Sequence, residues 1–147
     1  MNVLIVHAHN EPQSFTRALC DQACETLAGQ GHAVQVSDLY AMNWNPVASA
    51  ADFAERADPD YLVYALEQRE SVKRQSLAAD IQAELDKLLW ADLLILNFPI
   101  YWFSVPSKGR WKSSSGLMGF LFSGGGSGAN DAPKIFHSPG ESRSNRR

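Results

Sequence analysis

The sequence predicts an α/β protein built on a doubly wound parallel sheet, with three strands recognisable. Three observations carry this expectation. The continuous apolar runs Val3-Leu4-Ile5-Val6 and Leu93-Leu94-Ile95-Leu96 have the pattern of strands buried on both faces. Amphipathic stretches of helical period follow the first run and precede the second. The first run, its helix and a further strand at 33–36 form a βαβ unit, whose helical crossover favours a parallel sheet covered on both sides.

Taken in order, Val3 to Val6 is the first strand, and a polar loop from His7 to Gln13 follows it. Ser14 or Thr16 is a suitable N-cap for a helix running to about Ala28, because either hydroxyl can accept from a free first-turn N–H. Ala18/Leu19, Ala23 and Thr26/Leu27 recur at helical spacing and give this helix one apolar face. Gly29-Gln30-Gly31 ends it, since glycine tolerates the left-handed cap conformation. In the second strand, Val34 and Val36 alternate with polar neighbours. Residues 40–75 are charged, with only patchy helical signal, and a structureless loop of that length is unusual in a compact domain. The expectation there is a long excursion carrying short helices, opened by a turn at Met42 to Pro46. A clear amphipathic helix spans Ser76 to Trp90, with Leu77, Ile81, Leu85 and Leu88/Leu89 on one side, Ser76 as cap and Asp80 in the first turn. The third strand runs from Asp92 to Phe98.

Composition sets outer limits. The 147 residues are 45% hydrophobic and 20% charged, as in an ordinary globular domain, and the formal charge of -3 makes no case for nucleic acid or a membrane surface. The longest apolar runs fall well short of the roughly 18 residues of a membrane span. Met1-Asn2 leads straight into a strand without the pattern of a signal peptide, so the expected location is cytoplasmic. Cys20 and Cys24 sit four apart on one helix face and read as buried, reduced thiols rather than a redox or zinc motif. Charge is uneven: residues 1–106 hold six Lys+Arg against fourteen Asp+Glu, whereas residues 107–147 hold seven against two. The second stretch also contains nine Ser and eight Gly among its 41 residues. Two segments are therefore expected: an α/β part at 1–106, and a Ser/Gly-rich basic tail at 107–147 that is poorly ordered.

Ligands of open parallel sheets bind beyond the carboxyl ends of the strands, where the strand order reverses. Two loops meet at that point here. The first, His7 to Thr16, enters a helix N-terminus, whose free N–H groups and positive dipole end suit a phosphate, with Ser14 and Thr16 adding hydroxyls. It contains neither a GxGxxG fingerprint nor a GxxxxGK[ST] loop, which argues against a Rossmann dinucleotide site and an NTPase. His9 can bond a phosphate or ribose, or serve as an ordinary histidine at a strand end. The second loop, Pro99 to Phe103, carries three consecutive aromatics that suit either core packing or a flat ring such as isoalloxazine. No ligand spacing around His7 and His9 supports a metal site. Glu11 and Asp38 read as loop and strand-end carboxylates, and Trp44 and Trp90 as packing residues.

Several longer strings also stand in order along residues 1–106. They are Val3-Leu4-Ile5-Val6-His7-Ala8-His9, Ser14-Phe15, Ser37-Asp38-Leu39-Tyr40-Ala41-Met42-Asn43, Ser76-Leu77-Ala78-Ala79-Asp80-Ile81, and Phe98-Pro99-Ile100-Tyr101-Trp102-Phe103-Ser104-Val105-Pro106. On these strings the chain resembles the NAD(P)H:quinone oxidoreductases, two-electron quinone reductases of flavodoxin-like fold. The resemblance implies FAD (with FMN as the alternative flavin), NAD(P)H as hydride donor, quinones as acceptors and a homodimer. By position, it implies that His9, Phe15, Thr16, Arg17 and Ala18 contact the flavin diphosphate. Ile100, Tyr101, Trp102 and Phe103 would hold the isoalloxazine, with Trp102 and Phe103 also lining the substrate slot. A glutamine that touches the flavin in relatives corresponds to Val63, so that contact is not carried over.

After Pro106 the family continues with a helix beginning Ala-x-Leu-Lys-Gly-Trp and two further strands. These supply a Thr-Thr-Gly-Gly flavin loop and a tyrosine and histidine near the transferred hydride. This chain reads Ser107-Lys108-Gly109-Arg110-Trp111-Lys112 and then Ser/Gly-rich sequence, with Lys108-Gly109 and Gly119-Phe120-Leu121-Phe122 as echoes of the expected helix. No catalytic residue is identified, because the family's tyrosine and histidine have no counterpart. A reading-frame change, a truncation or an alternatively ended variant would each produce this pattern. Against the family's flavodoxin-like doubly wound sheet, the resemblance therefore implies that the fourth and fifth strands are missing and that the third strand is an open sheet edge. The resulting alternative to a quinone reductase is a non-catalytic flavin-binding or partner-binding protein of the same descent, comparable to the flavodoxin-like ancillary subunits of potassium efflux systems.

Overall fold

The computed structural model describes residues 1–100 and 134–137, the latter as backbone only. Two compact units emerge. The first holds strand β1 (Asn2–His7), helix α1 (Phe15–Gly29), β2 (Ala33–Asp38), β3 (Leu93–Asn97) and β4 (Lys134–His137). The second holds a 3-10 turn (Ala50–Asp52) and helices α2 (Tyr64–Arg74) and α3 (Ala79–Trp90). The expected segment boundary near residue 106 lies outside the described residues.

The sheet is parallel throughout, in the order β2-β1-β3-β4. That is the doubly wound order with its reversal between β1 and β3. The continuous apolar run of β1 has its physical reason in this central place: Val3, Leu4 and Ile5 are fully buried and Val6 nearly so. At the sheet edge, β2 leaves Val36 exposed. Across the start of β1 and β3, the Asn2 backbone N–H donates to Asp92 Oδ2 at 2.7 Å.

β4 corrects the expectation that β3 is an open edge without a fourth strand. Leu93, Leu94, Ile95 and Leu96 pair in register with Lys134, Ile135, Phe136 and His137. Only Ile135-Phe136 is apolar in that stretch, too short a run within Gly- and Ser-rich surroundings to signal a strand.

Of the two candidate caps for α1, Ser14 holds the position: extended at φ -73°, ψ 155°, it accepts the Arg17 N–H on its side chain. At the other end, Gly31 takes φ +83°, where a side chain would be strained. The buried face of α1 keeps part of the expected one. Cys20, Ala23, Cys24 and Leu27 pack with Val3 and Ile5, whereas Ala18, Leu19 and Thr26 are exposed. Ala23 and Leu27 of the expected stripe are therefore on the core face, and the two cysteines, read as buried and behaving as small apolar residues, complete it.

Both thiols are free and shielded. Burial pushes the Cys20 thiol up from 9.0 to about 11, with the neighbouring Cys24 adding to the rise. Burial likewise raises Cys24. The folded state therefore holds the Cys20 proton more tightly than the unfolded chain does. This contribution to stability is fully present below about pH 9 and is lost as pH rises through about 11. Urea midpoints measured across that window should fall with pH, and Cys20→Ala should flatten the fall.

In the second unit, the excursion is structured largely through polar contacts. Ser49 and Asp52 form a capping box around the 3-10 turn, and the Tyr64 hydroxyl donates to Asp52 Oδ2 at 2.5 Å. The rings of Phe53 and Tyr64 pack with centroids 5.2 Å apart. Helix α2 turns Glu67 and Ser71 inward, and the Glu67 carboxylate accepts from the Ala57 and Asp58 backbone N–H groups. An inward polar stripe explains the patchy helical signal, since periodicity detects apolar faces.

Helix α3 begins at Ala79, three residues later than expected. Ser76 is not its cap: the Ser76 hydroxyl donates to the Glu55 carbonyl at 3.3 Å, and Leu77 bridges Phe53 in an antiparallel pair. Ile81, Leu85 and Leu88 are buried as expected, Glu84 joins them, and Leu89 is exposed. Asp80 stands in the first turn as expected. Among the described residues, no helix is long and apolar enough to cross a membrane.

Candidate functional site at the β1 and β3 strand ends

His7 and Asn97 end β1 and β3 and face each other in register. The ladder continues one residue further, where the Ala8 N–H donates to the Asn97 carbonyl at 3.0 Å. Both side chains are buried and sit 3.2 Å apart, His7 Nδ1 to Asn97 Nδ2. Burial is the largest influence on His7 and lowers its pKa below the usual 6.5; Arg17 and His9 act in the same sense, Asp38 and Asp21 against it. His7 is therefore neutral at physiological pH.

From these strand ends the chain turns through residues 8–14 into α1. His9 is half-buried, and its Nδ1 accepts from the Glu11 backbone N–H at 2.9 Å. Glu11 in turn accepts from Gln13 N–H at 2.8 Å, so it is the loop carboxylate expected. His7 and His9 thus each take a separate donor, and β1 stops at His7.

Ser14 Oγ accepts from Arg17 N–H at 3.1 Å, and the Ala18 N–H reaches the Ser14 carbonyl at 3.1 Å. Those bonds use the third and fourth N–H groups of the helix. Among the described residues, no group accepts from the N–H of Phe15 or Thr16. Free first-turn donors at the positive end of a helix dipole form an anion site. The Phe15 ring is 65% exposed, Thr16 is half-buried and Ala18 is exposed, so this edge of the sheet is open to a ligand.

Arg17 is occupied differently from the expectation of a simple phosphate contact. Its Nε donates to Asp21 at 2.9 Å and its Nη1 to Asp38 at 3.1 Å. Asp38 Oδ1 meanwhile accepts from the Tyr40 and Ala41 N–H groups at 3.1 and 3.0 Å. The carboxylate read as a plain strand-end residue thus fastens the turn after β2 to the first turn of α1. That turn continues to Asn43, whose φ of 51° suits asparagine, and Trp44 beyond it is buried as expected of a packing residue.

Ile100, three residues past β3, is 54% exposed on the same strand-end side of the chain. Tyr101, Trp102 and Phe103 lie outside the described residues. Val63, the position without a carried-over flavin contact, is the N-cap residue of α2 in the second unit. Sequence reasoning missed Asn97 altogether. A polar residue closing an otherwise apolar strand, opposite a histidine closing its neighbour, is the signal that would have found it.

A parallel sheet in this order, with a helix N-terminus and a buried histidine at its reversal point, defines a flavodoxin-like protein. A family model described as flavodoxin-like fold matches residues 1–109. Human ribosyldihydronicotinamide dehydrogenase (quinone) is 46% identical over 123 residues, covering 82% of this chain and 53% of that protein. Rat NAD(P)H dehydrogenase (quinone) 1 is 43% identical over 122 residues, 81% of this chain and 44% of the relative. A solved structure of a candidate quinone reductase from Klebsiella pneumoniae aligns with a TM-score of 0.72 at 38% identity, over 78% of this chain and 46% of that one. The chain belongs to the flavodoxin-like quinone reductase family. It spans about half the length of the relatives it matches. Since 82% of the chain aligns, the similarity also runs past Pro106, beyond the strings quoted above.

Proposed function

We propose that the chain binds FAD and serves two-electron reduction of quinones by NAD(P)H. The observation that carries this reading is the pair of unpartnered N–H groups at Phe15 and Thr16, at the sheet's reversal point, in a chain of this family. The fit is to a diphosphate: two main-chain donors stand at the positive end of a fifteen-residue helix, with the hydroxyl-bearing residues Ser14 and Thr16 in the same turn. His9 and Ala18 border the same edge, and Arg17 frames it, its backbone N–H held by Ser14 and its side chain by Asp21 and Asp38.

Ile100, Tyr101, Trp102 and Phe103 are assigned to the flavin ring, and Trp102 and Phe103 also to the slot for nicotinamide or quinone, on the family resemblance and on their place in the sequence shortly after β3. When bound, the flavin supplies the redox chemistry, accepting hydride from NAD(P)H and delivering it to a quinone. The chain's part is to hold the diphosphate, orient the ring and cover one face of it with aromatic side chains. FMN, which carries a single phosphate, would use the same helix terminus. The homodimer and cytoplasmic location implied by the resemblance belong to this proposal.

The test is anaerobic reduction of the FAD-loaded chain. Addition of NADH or NADPH should bleach the flavin absorbance, and a quinone should restore it. A chain that binds FAD but keeps its colour after NAD(P)H is a flavin binder without turnover, and the quinone reductase reading fails.

A further inference from the structure

We propose that Asn97 is a positioning residue for the cofactor loop, setting the direction of the free N–H groups of α1 through both hydrogens of its side-chain amide. This rests on the FAD-binding reading above. Asn97 Nδ2 donates to the Thr16 carbonyl at 2.9 Å and lies 3.2 Å from His7 Nδ1. The Thr16 carbonyl fixes which way the amide points, because the amide oxygen in that place would confront another oxygen. An amide nitrogen only donates, so His7 Nδ1 must accept, and the ring proton sits on Nε2.

The Thr16–Arg17 peptide is consequently held at both ends. Asn97 takes its carbonyl from the sheet side, and Ser14 Oγ takes its N–H at 3.1 Å. With that peptide clamped, the N–H groups of Phe15 and Thr16 immediately before it have a fixed direction. His7 completes the clamp by occupying the second amide hydrogen, and it does so only while neutral. The charged or titratable groups acting on His7 are Asp38 and Arg17, joined to each other, with His9 and Asp21. Both Asn97 and His7 are almost fully shielded from water, so neither amide hydrogen has solvent as a substitute partner.

Asn97→Asp keeps the shape and removes both donors. Its carboxylate repels the Thr16 carbonyl and draws a proton onto His7 Nδ1, so the net charge near the diphosphate depends on pH. The ratio of the variant's Kd for FAD to that of the unaltered chain should be about tenfold at pH 8.5, where His7 is neutral and the new carboxylate is uncompensated. It should shrink to about threefold at pH 6, where protonated His7 offsets that charge. A ratio near one, or a raised ratio that does not change with pH, overturns the positioning role. Absence of FAD binding by the unaltered chain overturns the FAD reading instead. Nitrogen-15 NMR of the unaltered chain needs neither flavin nor variant. His7 should show the neutral Nε2–H tautomer from pH 6.5 to 8.5, and an Nδ1–H tautomer would contradict the clamp.

Discussion

Phe15→Pro should leave α1 folded while weakening FAD binding roughly 10- to 100-fold, the loss expected for one hydrogen bond to a charged group. Phe15 is the first residue of the helix, where proline is tolerated because that N–H has no helical acceptor and the ring presets φ. The residue before a proline must be extended, and Ser14 already is, at φ -73° and ψ 155°. The substitution therefore removes one of the two free donors at the anion site without disturbing the cap. Loss of the aromatic ring is controlled by Phe15→Ala, which keeps the N–H. If Phe15→Pro and Phe15→Ala bind FAD alike, the main-chain donor has no part in the site. Far-UV circular dichroism of both variants checks that helix content is unchanged.

The largest effect on stability is expected from Ile5→Ala. Ile5 is fully buried on the central strand, packed with Val3 and Cys20 and flanked by Ala23, Leu27, Val34, Leu93 and Ile95. Removing three carbons there leaves a cavity between the sheet and α1 that backbone on both sides prevents from closing. The expected cost is about 3 kcal/mol. That is a large share of the ~5–15 kcal/mol by which folded domains are stable. Urea unfolding followed by circular dichroism measures it, and a loss below about 1 kcal/mol would mean that this cluster does not carry the unit.

These two substitutions also mark what was legible in the residues. The strands and α1 declared themselves because their information is local: β1 is apolar on both faces, Ser14 is a capping residue, and Gly31 supplies the left-handed stop. Of the stripe expected on α1, Ala23 and Leu27 face the core, and Cys20 and Cys24, read as buried thiols on one helix face, complete it, while Ala18, Leu19 and Thr26 fall outside it. Helix α2 was seen only dimly, since its inward residues Glu67 and Ser71 are polar and Glu67 is held by the Ala57 and Asp58 N–H groups outside the helix. The late start of α3 has the same origin: Ser76 spends its hydroxyl on Glu55, a choice that no local pattern encodes. β4 rests on partnership with β3, which four residues of sequence cannot announce.

At the site, the helix N-terminus was readable from Ser14 and from the strand before it. The roles of Asp38 and Asn97 were not. Asp38 lies 21 residues from Arg17, and Asn97 lies 81 residues from Thr16 and 90 from His7. Such contacts follow from register, through the pairing of His7 with Asn97, and register becomes visible only once the sheet is assembled.

The most direct measurement is a titration of the full chain with FAD, followed by flavin fluorescence and visible absorption. Saturable quenching with a shifted flavin band, weakened in Phe15→Pro and retained in Phe15→Ala, is the expected result. It would establish the α1 terminus as the place where the diphosphate is held. Flavin that stays free in solution at every protein concentration would contradict the central claim, leaving the family fold without its cofactor.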